Sequence, residues 1–390
     1  NHIKNRISLA GSSYFRHNLS MLYPFPRSIS LRTGELQFPV FMPDATFGVV
    51  RSVDSADLEG AKIQAVVMNA FHLMQKPGTS TIQSLGGLHA MSGWQRPIIT
   101  DSGGFQAYSL IRQNPKFGNM TPKGINFQPE GSNRKFQLTP EKSVQLQLAY
   151  GADVVICLDD CTHVDASVEE QELSVTRTIS WAKRCRETFD KLIAQKKMND
   201  NDRPRLFGVI QGGGIKDLRT HCADELLKIG FDGYGYGGWP LDGDGNLLTE
   251  ILSHTRQLVP DQYPMHALGI GHPYNVLACY PLGYGIFDCA MPTRDARHGR
   301  LYQFANPPDV PNAGLTDNWL KYLYINDQEH IKHPGPLSEG CDCLTCSRYS
   351  RGYLHHLFKM NDSLFLRLAT IHNLRFMTQL TDRIQKITHG

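Results

Sequence analysis

Short apolar runs recur along the chain at residues 38–42, 65–68, 97–100, 154–158, 206–210, 234–238, 267–270 and 284–287. Most are hydrophobic without alternation, as parallel strands covered on both faces are, rather than a sheet with one wet side. Helical patterns separate many of them. The clearest opens at Thr139-Pro140, a capping residue followed by proline at the first helical position, and runs through Val144, Leu146 and Leu148. Others fall at 168–195, 217–229, 247–259 and 274–282. Eight strands alternating with helices over about 250 residues predict an α/β fold, a (β/α)8 TIM barrel. A doubly wound open sheet is the alternative, weakened because no glycine-rich phosphate fingerprint follows the first strand.

Two stretches break the rhythm. Residues 111–138 carry Pro, Gly, Asn and Lys around a β-like 124–127 and predict a small hairpin inserted beside the barrel mouth. Residues 303–340, rich in Pro, Asn and Asp, predict a loop-dominated connector. The expected order is an irregular N-terminal segment at 1–35, a catalytic barrel at 36–302, and a connector with a C-terminal helical subdomain at 303–390.

Composition narrows the class only slightly. A hydrophobic fraction of 41% and a net charge of +3 are ordinary for a globular protein and neither require nor exclude a nucleic-acid partner. No apolar run approaches the roughly 18 residues of a membrane span, and Asn1 to Asn5 have neither an initiator Met nor the apolar core of a signal peptide. Of nine cysteines, six are scattered and three cluster as Cys341-x-Cys343-x-x-Cys346. That is no disulfide framework. It predicts reduced thiols, one metal knot and a cytoplasmic location.

Barrel active sites lie at the C-terminal ends of the strands. Those ends carry Asn69, Asp101, Asp159 with Asp160, Gln211 with Gly212 and Gly213, Gly237 with Gly238, Gly269 with Gly271, and Asp288. Two stretches stand out. The run 284–287 ends on Asp288 and opens into a Pro292-Thr293 turn carrying Arg294 and Arg297; the run 97–100 ends on Asp101 and opens into Gly103-Gly104. A carboxylate at a buried strand end suits a nucleophile or an acid/base, and arginines beyond it suit phosphates or base edges. Either Asp alone serves equally well as a helix cap, and Asp160 is expected to do only that. The set as a whole suits a flat ligand rich in N–H donors, such as a guanine-type base.

The three clustered cysteines call for a histidine to complete a structural zinc site. His355 and His356 follow soon after, where a helix from Ser350 would place them on its surface. His372 heads a later amphipathic run and is the favoured ligand. A site closed by four protein ligands folds the tail and does no chemistry.

These stretches together resemble the tRNA-guanine transglycosylase family over residues 33–387. The resemblance rests on Asn69-Ala70-Phe71-His72-Leu73, Thr100-Asp101-Ser102-Gly103-Gly104-Phe105-Gln106, Leu158-Asp159-Asp160-Cys161-Thr162, Val209-Ile210-Gln211-Gly212-Gly213, Phe287-Asp288-Cys289 with Pro292-Thr293-Arg294, and the cysteine cluster with Thr370-Ile371-His372-Asn373. It implies exchange of an anticodon-loop guanine for a 7-deazaguanine base, preQ1 or queuine, by double displacement. Asp288 matches the nucleophile and Asp101 the general acid/base. Asp159, Gln211, Gly238, Phe105 and Leu268 match the base pocket, and Arg294 and Arg297 the readers of the tRNA loop. Cys341, Cys343, Cys346 and His372 match the ligands of one Zn2+ per chain, and the family's pairing through the zinc side implies a homodimer.

Departures from the family pattern bear on substrate. Phe105 lacks the hydroxyl of the usual Tyr, and Gly238 is followed by Trp239-Pro240-Leu241-Asp242. Proline has no N–H and restricts its predecessor, so the 239–240 peptide offers the incoming base only the Trp239 carbonyl. The competing functions are the same chemistry on DNA, disfavoured by Arg294 with Arg297, and a non-catalytic RNA-binding partner subunit, disfavoured because Asp101 and Asp288 are both present.

Overall fold

The computed structural model describes residues 24–128, 135–163, 165–306, 315 and 318–389. Eight parallel strands form one sheet: β1 (Val40–Pro43), β2 (Val66–Asn69), β3 (Ile98–Asp101), β4 (Val154–Ile156), β5 (Arg205–Ile210), β6 (Gly233–Tyr236), β7 (Met265–Ala267) and β8 (Ile286–Cys289). The spatial order is β1-β8-β7-β6-β5-β4-β3-β2. A parallel bridge from Asp44 to Val67, with Ala45 N–H donating to the Val67 carbonyl at 2.7 Å, brings β1 against β2 and closes the ring. The strands are buried almost throughout, as their non-alternating apolar runs require. Seven of the eight fall on the apolar runs of the sequence with ends shifted by up to two residues. The seventh differs: 267–270 was read as strand, and the pairing lies at Met265–Ala267.

Local signals set the helices around the ring. Thr139 accepts from Lys142 N–H and Pro140 opens the helix Pro140–Tyr150. Val168–Gln195 is one long helix begun by a capping box of Ser167 and Glu170. The inserted segment has one strand more than the expected hairpin. Gly118–Thr121, Gly124–Phe127 and Phe136–Leu138 make a three-stranded antiparallel sheet, with Phe136 stacked on Phe127 at 5.3 Å. Residues 1–35 are not wholly irregular either: Ser28–Leu31 and Gly34–Gln37 pair antiparallel, while 1–23 lie outside the described residues. In the connector, Leu320–Tyr324 pairs with Arg300–Phe304, a strand that runs across residue 302.

The C-terminal helix Ser363–His389 is tied to the barrel. Ile371, Leu374, Met377, Leu380 and Ile384, spaced as one helical face, are buried in the same apolar cluster as the strands. Arg367 donates to both oxygens of Asp57 at 2.8 and 2.7 Å. Among the described residues no helix is long and apolar enough to cross a membrane.

Candidate active site

The C-terminal mouth of the barrel gathers the carboxylates the strand ends predicted. In the register of β2 and β3, Asn69 stands opposite Asp101. Asn69 Nδ2 donates to Asp101 Oδ2 at 2.9 Å while its own Oδ1 caps the next helix. Gly103, left-handed at φ 87°, turns the chain sharply after β3; a Cβ there would meet Phe71 Cβ at 2.4 Å. Asp288 is the penultimate residue of β8, and its Oδ1 accepts from Gly269 N–H at 3.0 Å and from His266 Nε2 at 2.8 Å.

Asp159 and Gln211 form a second polar pair, close enough to Asp101 for the two carboxylates to interact. Both are buried, and Gln211 Nε2 donates to Asp159 Oδ2 at 2.6 Å. Gln211 Oε1 has no hydrogen-bond partner among the described residues. Gly237 allows this closeness, since a Cβ on it would fall 2.5 Å from Gln211 Nε2. Gly238 follows at φ 93°. Leu268 covers Gly235, with Cδ1 2.9 Å from where a Cβ would stand. Phe105 is 40% exposed, with its ring 6.2 Å from that of the equally exposed Trp239.

Asp160 turns away. It pairs with Arg177 at 2.9 Å and holds Ser174 and Thr178 through its backbone, so it braces the long helix and caps nothing. Arg294 and Arg297 lie on the helix Met291–Arg297 directly after β8. Arg297 keeps a buried Nη1 without a hydrogen-bond partner among the described residues, and burial followed by repulsion from Arg51 lowers its pKa.

Electrostatics separates the carboxylates. Burial, and next the charge of Asp288, pushes Asp101 up to about 6 from its ordinary 3.8. Burial pushes Asp159 up to about 7, against the hydrogen bond from Gln211, with Asp101 adding to the rise. The folded chain therefore holds both protons more tightly than the unfolded chain does. The stability from them is fully present below pH 3.8 and is lost as pH rises to about 7. Asp159→Asn keeps an oxygen for Gln211 and removes the buried charge. It is expected to unfold like wild type at pH 4 and to be more stable by on the order of 2 kcal/mol at pH 8, while losing activity. Denaturant titrations at the two pH values check this; a variant less stable at pH 8 contradicts it.

Three contributors escaped the sequence reading. His266 was missed because β7 begins two residues earlier than its apolar run. Arg219 is fully buried without a carboxylate partner: it donates to the carbonyls of Gly213, Ile210 and Gly237 at 2.7 to 3.0 Å and packs over Tyr236, tying the ends of β5 and β6. Asn373, also buried, accepts from Tyr302 N–H and donates to the carbonyls of Pro292 and Arg300, clasping the helix that carries the two arginines.

Away from the mouth, Cys341, Cys343, Cys346 and His372 converge, with one donor atom from each within 4.8 Å of the others. His372 Nδ1 lies 3.3 Å from Cys346 Sγ and 3.8 Å from the other two sulfurs. Its Nε2 donates to the Tyr302 carbonyl at 2.8 Å, which leaves Nδ1 free to bind a metal. His355 is buried rather than on the helix surface, and His356 is exposed; neither belongs to the cluster.

Together these features define an eight-stranded barrel whose carboxylates gather at the C-terminal strand ends, where barrel enzymes keep their chemistry. The family model "Queuine tRNA-ribosyltransferase" matches residues 27–389. Proteins named queuine tRNA-ribosyltransferase from Psychrobacter sp. (strain PRwf-1), Aliivibrio fischeri (strain MJ11) and Shewanella sediminis (strain HAW-EB3) are 36%, 37% and 38% identical to it. The matches cover 92%, 91% and 90% of this chain and 88%, 89% and 86% of theirs. The chain belongs to the queuine tRNA-ribosyltransferase family of pentosyltransferases.

Proposed function

We propose that this chain exchanges a guanine in the anticodon loop of tRNA for a 7-deazaguanine base through a covalent ribosyl–Asp288 intermediate. The observation that carries the reading is the pairing of Asp288, anchored through one oxygen, with Asp101, whose pKa lies close to neutrality. Cleavage of an N-glycosidic bond builds positive character at the ribose C1′, which a carboxylate can trap. Asp101, raised toward neutral pH, protonates the departing guanine and takes a proton from the incoming base. Asp159 reads the N–H edge of the base. Gln211 and the Gly238 N–H receive its carbonyl, Leu268 lines the base pocket, and Phe105 stacks on the ring. Arg294 and Arg297 read the neighbouring loop bases.

The four converging ligands fit a structural zinc. Bond lengths near 2.3 Å to sulfur and 2.0 Å to nitrogen put tetrahedral S and N donors about 3.5 Å apart, close to the separations around His372 Nδ1. Zinc would tie residues 341–346 to the C-terminal helix and take no part in the chemistry. The reading includes a homodimer through this zinc side, where Ile331, Tyr353 and Met360 are exposed, and a cytoplasmic location, in keeping with nine free cysteines.

Incubation with labelled guanine and either total tRNA or duplex DNA tests the function. Label in tRNA supports it; label only in DNA favours the DNA-acting reading, and label in neither overturns both. The base itself is addressed by Trp239-Pro240, whose shared peptide presents only an acceptor. An aminomethyl-deazaguanine or the larger queuine gains a charge-assisted hydrogen bond of roughly 1.5–3 kcal/mol there, and a nitrile base gains none. Competition kinetics are expected to favour the amine by about tenfold to a hundredfold. Equal use of the nitrile base contradicts this.

A further inference from the structure

Asp288 is held through one oxygen. Oδ1 takes the Gly269 N–H and faces His266 Nε2, whereas among the described residues no hydrogen bond reaches Oδ2. His266 is fully buried within β7, in register with Ile286 two residues before Asp288, so the barrel wall fixes its ring. Against a carboxylate oxygen, Nε2 must carry the hydrogen. The other ring nitrogen, Nδ1, is buried without a hydrogen-bond partner among the described residues. That is a desolvation cost an apolar residue at 266 would not carry, so packing alone does not account for a histidine here.

We propose that His266 is a positioning residue for the nucleophile: with the Gly269 N–H it holds the plane of the Asp288 carboxyl so that Oδ2 is presented to the ribose. The inference rests on the base-exchange reading above. In the first half-reaction an Oδ2 lone pair forms the bond to C1′. The bond from C1′ to the guanine nitrogen breaks, its electron pair leaves on the base, and Asp101 supplies the proton the base takes up. In the second half the incoming base loses its ring N–H proton to Asp101 and attacks C1′, and the electron pair of the Oδ2–C1′ bond returns to Asp288. Between the halves Oδ1 is the ester carbonyl oxygen and still an acceptor, so the hydrogen bond from His266 persists. What it contributes is geometry, and misplacement of a reacting group by about 1 Å costs on the order of a hundredfold.

The test compares His266→Leu with His266→Gln in the full chain, since a glutamine amide N–H can stand near the place of Nε2. Exchange of labelled guanine into total tRNA is followed at steady state, alongside thermal melting. His266→Leu is expected to lower kcat by about 30- to 100-fold with KM for tRNA nearly unchanged and melting no lower than wild type. His266→Gln is expected to recover most of the loss. If the leucine variant loses its folded far-UV signal, His266→Met replaces it in the same comparison. A wild-type kcat in the apolar variant overturns the proposal, as does an equal loss in the apolar and glutamine variants. A wild-type chain that incorporates no label into tRNA overturns the base-exchange reading itself, and this inference with it.

Discussion

Replacing Asp288 with asparagine is expected to abolish base exchange, by about four orders of magnitude or more, and to leave the fold intact. The amide is nearly isosteric. Its oxygen can still accept from Gly269 N–H and His266 Nε2, so the end of β8 keeps its anchors. What disappears is the second anionic oxygen, and with it the proposed bond to ribose. Wild-type protein mixed with tRNA and an inert base analogue should yield a protein–RNA adduct that survives denaturation, and Asp288→Asn should yield none. An adduct of undiminished yield in the variant would assign the nucleophile elsewhere. Asp101→Asn separates the two roles: it removes the acid/base, so adduct formation should slow without the bond to Asp288 becoming impossible.

Cys343→Ala is expected to remove the metal and to weaken RNA binding at a distance from the cysteines. Cys343 is buried, and its sulfur also accepts the Cys346 N–H at the start of the helix Leu344–Arg348. For a knot of this kind metal binding is folding energy, and a fall in melting temperature of about 10 °C or more is expected. The path to the mouth is short. His372 donates to the carbonyl of Tyr302, and its neighbour Asn373 holds the Tyr302 N–H and the carbonyls of Pro292 and Arg300. Tyr302 in turn donates its hydroxyl to Asp295 at 2.6 Å, on the helix that carries Arg294 and Arg297. Loosening of that helix should reduce the salt dependence of tRNA binding by about one unit in log–log slope, as expected when arginine contacts to RNA are lost. Metal analysis and a salt titration of binding check both halves. A full equivalent of zinc in the variant would rule out Cys343 as a ligand.

Much of this site was legible along the chain because its signals are local. Runs of Val, Ile and Leu without alternation mark strands buried on both faces, and a polar residue closing such a run stands at the barrel mouth; the positions of Asp101, Asp159, Gln211 and Asp288 at or just past strand ends are legible that way. Thr139-Pro140 marked a helix start, and the spacing of the three cysteines marked the knot. Where a polar residue sits inside an element, the same signal fails. His266 interrupts the apolar pattern of β7 and so displaced the apparent strand toward 267–270, because a histidine within a strand is tolerable only once a distant carboxylate faces it. Arg219 has no carboxylate to announce it; three carbonyls from two strand ends, assembled by closure of the ring, hold its charge.

Other features depended on register and on folding back over long separations. That Asn69 donates to Asp101 follows from β2 and β3 pairing at Asn69 and Asp101, and one residue of slippage would turn every side chain to the opposite face. The third strand of the insertion, Phe136–Leu138, is too short for periodicity to reveal and exists because Phe127 and Phe136 stack. Spacing alone left three histidines as candidates for the metal. Only the packing of the C-terminal helix against Arg300–Phe304 brings His372 among the sulfurs and leaves His355 and His356 out of reach. The sequence by itself determined which elements form and which chemistry stands at their ends. Tertiary structure decided which of those groups meet, because desolvation, shared hydrogen bonds and mutual charge arise only between residues that the closed barrel and its C-terminal helix press together.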